Sequence, residues 1–114
     1  MTILIPPPGP GRHRAIVSEV ALLWAVHHPG AFPDVPFDDR HDLAYLDFNM
    51  AGCVKTYLEN GGVPGPVHIE VLRDCLPELR AAVALLSRSA EYREGLRIFR
   101  GLLAMAKLIL ADGT

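Results

Sequence analysis

His27, His28, Asp38, Asp39, His41 and Asp42 bracket one short stretch of chain, and imidazole with carboxylate is a sensible ligand set for zinc or another divalent ion. Their spacing matches no metal motif. There is no His-Glu-x-x-His, no Cys-x-x-Cys and no calcium loop with its glycine and closing glutamate. His27 and His28 are adjacent, so on a helix they point about 100° apart and one alone would serve. Helix-end capping and loop solvation account for these residues, so no metal or other cofactor is expected. His27, His28, His41 and Asp38 are the positions a metal would use if one bound.

Nucleophilic catalysis finds less support. Cys53 falls on the apolar seam of a helix, which is the setting of an inert thiol. Cys75 has Asp74 beside it and His68 two helical turns earlier, a separation that brings thiol and imidazole together only loosely. The nucleophile elbow, the phosphate-cradling glycine loop and the dinucleotide fingerprint are all missing. The expectation is a protein that is not an enzyme, with both cysteines reduced in its core.

Charge gives the clearest polar pattern. On a helix, Arg93, Arg97, Arg100 and Lys107 fall within about 80° of one another around the axis, a continuous basic ridge. Five of the 11 Lys and Arg residues lie between Arg88 and Lys107, and five of the 13 Asp and Glu residues lie between Asp34 and Asp47. Guanidinium groups grip carboxylate and phosphate in bidentate fashion, so the ridge suits an acidic partner. It equally suits simple solvation, or pairing with the acidic loop of this chain or of a twin. A net charge of −2 argues against a general polyanion binder.

These side chains need a scaffold, and apolar spacing predicts a helical one. Between Ala15 and Val26 only Ser18 and Glu19 are polar, so the first helix is apolar nearly all round. Such a helix is expected to be enclosed, by its own chain or by a second copy, with Leu22, Trp24 and Val26 as candidates for the contact between copies. Pro29 and Gly30 stop it. Three prolines keep residues 29 to 42 irregular, with Phe32, Val35 and Phe37 expected to pin the loop and Asp34, Asp38, Asp39 and Asp42 outside. Asp42 is the expected N-cap of the second helix.

That helix has its seam at Leu43, Leu46, Met50, Cys53 and Tyr57, widened by Phe48, Val54 and Leu58, and ends at Asn60-Gly61-Gly62. Gly52 interrupts it, and close approach of a neighbouring helix is the expected reason. The third seam, Ile69, Leu72, Leu76, Leu79, Val83 and Leu86, keeps its phase through Pro77, which either kinks or breaks the helix. Ser87 or Ser89 caps the last helix, whose seam is Tyr92, Leu96, Phe99, Leu103, Ala106 and Leu110, widened by Leu102, Met105 and Ile109. The fold expected is all-α, a compact four-helix bundle with a long Pro/Asp-containing loop between helices 1 and 2.

At 114 residues the chain suffices for one domain burying roughly two-thirds of its unfolded surface. Residues 1–11 read as a proline-rich arm and 12–114 as a single helical domain. Val20 to Val26 and Leu102 to Ala111 fall short of the ~20 apolar residues that a membrane span requires. The start has no basic leader, so the cytoplasm is the expected compartment.

The function expected is a helical protein–protein interaction module, a small adaptor, inhibitor or neutralising partner. Its contact would be Arg93, Arg97, Arg100 and Lys107, or the acidic Phe/Pro/Asp loop with Asp34, Asp38 and Asp39. The alternatives are a small metal- or ligand-binding protein with its His/Asp site in the loop after helix 1, and a DNA-associated regulator. The last lacks a helix-turn-helix pair.

Overall fold

Proline's fixed φ and missing N–H suit the first turn of a helix, and the chain uses this twice. In the computed structural model, which describes residues 10–27 and 32–112, α1 (Pro10–His27) and α3 (Pro66–Leu86) both begin on proline. With α2 (Arg40–Glu59) and α4 (Arg93–Asp112) they make an all-α four-helix bundle, and the described residues include no strand. Short 3₁₀ turns at Phe37–Asp39 and Ala90–Tyr92 lead into α2 and α4. Of the expected arm at residues 1–11, Pro10 and Gly11 already belong to α1, while residues 1–9, His28 and the Pro29-Gly30 stop lie outside the described residues.

Local chemistry explains most of the boundaries. α2 starts at Arg40, with Asp39 rather than Asp42 in the N-cap position, because the turn at Phe37–Asp39 has already wound the chain. It ends on Gly61 and Gly62, with φ of 67° and 92°, and the Gly62 N–H donates to the Tyr57 carbonyl at 2.7 Å. A side chain at Gly62 would overlap Val17 and come within 2.8 Å of His13, so the same glycine lets α1 approach. Ser87 caps the end of α3, its hydroxyl donating to the Ala84 carbonyl. Ser89 opens the following turn by accepting from the Glu91 N–H.

α3 runs unbroken through Pro77. Proline removes the bond that residue 77 would give to the carbonyl of Arg73, and both residues are exposed, so water can serve that carbonyl.

α4 is the hub, packing most extensively on α3 and then on α1, and also touching α2. α1 meets α2 over a smaller area and has no substantial contact with α3. The core joins Val20 of α1, Met50 and Tyr57 of α2, Leu72 and Leu79 of α3, and Phe99 of α4. The α2 seam is buried throughout, from Leu43 to Tyr57. In α3 and α4 the buried line is offset from the expected one. Cys75 and Ala82 are buried while Leu76 and Val83 are half-buried, and Leu102, Met105 and Ile109 are central while Leu103 and Leu110 are peripheral.

Further expectations are corrected. Its own chain does not enclose α1, which leaves only cover by a second copy from that expectation: Ile16 and Val20 are buried, but Leu22 is 68% exposed and Val26 63%. Two neighbours cannot enclose a cylinder, and the third helix sits diagonally. Phe48 and Phe37 do not join the core; they are 76% and 89% exposed. No neighbouring helix approaches Gly52, where an added Cβ would meet nothing within 4 Å.

Candidate interaction surface

The loop before α2 is anchored at its start. Phe32 sits edge-on to Phe99 with centroids 6.5 Å apart, and the Arg40 guanidinium lies 5.5 Å from the Phe32 ring centre. Val35 is buried beside Gly95, where a Cβ would lie 3.3 Å from Val35 and 3.4 Å from the Asp34 carbonyl oxygen. The absent side chain at Gly95 is what lets the loop lie down on α4. Tyr92 belongs to the same junction: burial, then Glu91, then Asp34 and Asp39, push its hydroxyl above the usual range.

With that anchor made, the chain turns Phe37 outward. Around the outer side of α2, His41, Tyr45, Phe48 and Gly52 follow at spacings that keep them within about 60° of one another. Phe37 precedes them, and Tyr45 is 64% exposed. Asp38 and Asp42 are exposed along one edge of this stripe. Beyond that edge, Asp39, Asp42 and Glu78 line a groove of about 380 Å³ between α2 and α3, with Leu46 and Ala82 in its floor. The lower end of the stripe opens into a second groove, of about 640 Å³, lined by Phe48 and Gly52 on one side and by Trp24, Val67 and Val71 on the other. An aromatic strip bordered by carboxylates is thus presented to solvent.

The basic ridge on α4 is also exposed at Arg93, Arg97, Arg100 and Lys107. Arg97 is occupied within the chain. Its guanidinium grips the Glu94 carboxylate, with Nε at 3.1 and 3.2 Å from the two oxygens, and NH1 donates to the Val26 carbonyl at 3.4 Å. That bond holds the Glu94 carboxyl below its usual range and raises the guanidinium. The ridge does not pair with the acidic loop: Arg97 takes Glu94, and among the described residues Asp34, Asp38 and Asp39 have no ion pair.

The histidines go elsewhere than the loop. His27 packs against Trp24, with ring centroids 5.7 Å apart and planes 29° from parallel. Its Nε2 is 3.3 Å from Asp47 Oδ1 but off hydrogen-bond geometry, and among the described residues neither Asp47 Oδ1 nor His27 Nδ1 has a hydrogen-bond partner. His41 and Asp38 are exposed, and among the described residues no three His, Cys, Asp or Glu side chains converge as a metal would need. Trp24 faces α2, away from Leu22 and Val26, so the three candidates for a contact between copies split into two sides of α1.

One polar cluster was not foreseen. Asp112 Oδ2 accepts from His13 Nδ1 at 2.6 Å and from the Tyr57 hydroxyl at 3.2 Å, tying the start of α1 and the ends of α2 and α4 together. The three residues are far apart in sequence and follow no motif, so only the antiparallel course of α1 against α4 brings them together. Cys53 and Cys75 are free and buried. Burial first, then the charge of Cys75 at Cys53 and those of Glu78 and Asp74 at Cys75, raises both thiols, the reverse of what a nucleophile needs. No protein-family model matches this chain, and no curated protein or solved structure matches it either.

Proposed function

We propose that this chain is a non-enzymatic protein–protein interaction module whose contact surface is the outer face of α2 and the Phe/Pro/Asp turn before it. One observation carries the reading. Tyr45 and Phe48 stand on one stripe with Phe37 in the turn just before it, each more than 60% exposed, in a chain that had a core available to take them. Exposed aromatics gathered in one patch are costly in water and are the residue types that dominate binding energy at interfaces. The carboxylates of Asp38, Asp42 and Glu78 beside them favour a partner segment that sets apolar side chains between lysines or arginines.

The test compares the wild type with a Phe37→Ser/Phe48→Ser variant. Both positions are outside the core, so helicity and melting temperature should hold. NMR titration with a Leu/Lys amphipathic helical peptide is expected to move α2 resonances from Tyr45 to Gly52 in the wild type, with affinity falling about tenfold or more in the variant. Equal binding by the two proteins, or shifts confined to α4, would remove the aromatic stripe as the contact.

A further inference from the structure

Ala15, Ser18, Leu22 and Ala25 recur along α1 at the three-four spacing by which one helix packs along another, and all four are exposed. Glu19 and Val26 border this seam on its α4 side, where Val26, Arg97 and Arg100 line a shared hollow. Among the described residues neither Glu19 nor Arg100 has an oppositely charged partner. The face is therefore small and mostly apolar along its middle, with Ser18 its one polar residue there, and carries charges of both signs on its α4 edge.

We propose that this face binds a second copy of the chain, α1 against α1, antiparallel about a twofold axis at Leu22. In that arrangement Leu22 meets Leu22, Ser18 stands opposite Val26, and Glu19 stands opposite Ala25. A twofold axis perpendicular to two antiparallel helices keeps the same flank of each on the same side, so the α4 edges of the two copies adjoin. Glu19 of each copy then faces the Arg100 edge of the other, which makes the contact self-complementary, as a twofold interface must be. Ala15, Ser18 and Ala25 are small enough to let the axes approach, and Leu22 and Val26 fill the space between them. A partner of one charge sign would leave either Glu19 or Arg100 opposed.

Sedimentation velocity across micromolar to submillimolar concentrations reads this directly. The wild type is expected to shift from monomer to dimer, less readily at high salt. Leu22→Asp should weaken self-association roughly a hundredfold, because each copy would bury an unpaired carboxylate. Val26→Asp serves as a second variant; both sites are exposed, so circular dichroism should be unchanged. Glu19→Arg should weaken the dimer about tenfold, and Glu19→Arg with Arg100→Glu should recover most of that loss. A monomer at every concentration, a dimer indifferent to Leu22→Asp, or a charge swap that restores nothing would overturn the proposal. The Phe37→Ser/Phe48→Ser variant should dimerise like the wild type, so the two surfaces fail or stand separately.

Discussion

Tyr57 is fully buried, with its hydroxyl on Asp112, and burial together with that charge and hydrogen bond pushes its pKa up to about 12. In an unfolded chain tyrosine ionises near 10, so the unfolded state gives up the proton first as pH rises. The stability due to the protonated hydroxyl is present in full below about pH 10 and is lost as pH climbs toward 12. Denaturant midpoints measured from neutral to alkaline pH should therefore fall over that window in the wild type. Tyr57→Phe should lose about 1 kcal/mol at neutral pH, the worth of one hydrogen bond, and should show a shallower alkaline decline. Parallel declines in the two proteins would mean that Tyr57 does not set the alkaline limit. The cluster with His13 and Asp112 holds the helix ends together, and none of its residues announces this in the sequence: a lone histidine, a tyrosine on a seam and an aspartate near the last helix's end each have a local explanation.

At the scale of the helix, apolar spacing identifies a face more reliably than its centre. On α2 the expected seam is the buried one, with Val54 beside it. On α3 and α4 the apolar stripe is wider than the contact, and the neighbours choose its middle, which moves Cys75 and Ala82 inward at the expense of Leu76 and Val83. α1 has no polar side to orient it, so Leu22 and Val26 read as interior when they are not. Phe48 misleads for a different reason: it lies on the side of α2 away from the seam, so counting it as a widening of the stripe ignores its position around the axis. Glycines are harder still, since the pattern records only the missing side chain. Gly52 is exposed and open, so Gly52→Ala should stabilise the protein by about 0.5–1 kcal/mol through helix propensity. Gly95→Ala should do the opposite, by about 1 kcal/mol, because the new methyl would press on Val35 and the Asp34 carbonyl. Chemical denaturation of the two variants decides this, and a destabilised Gly52→Ala would mean that α2 has a neighbour there.

Across the whole molecule, one cluster of buried side chains runs from Ile16 to Ile109 and draws on all four helices. Cys53 on α2 and Cys75 on α3 are both part of it, and the charge of one would raise the other. Both thiols are buried, and neither ionises at its usual pH without opening that shared core. A bundle whose hub helix contacts the other three has no obvious piece to release alone, so opening should be global. Alkylation at neutral pH is accordingly expected to modify both cysteines at one slow rate, far below that in denaturant. That rate should fall by the factor that the equilibrium constant gains in Gly52→Ala, about two- to fivefold for 0.5–1 kcal/mol. Fast modification of Cys75 alone would place a local opening in α3, the helix that spends a backbone bond on Pro77. Equal rates for the two thiols, slowing together, would instead make the four helices a single cooperative unit and leave the outer face of α2 and the outer face of α1 as surfaces held on a rigid frame.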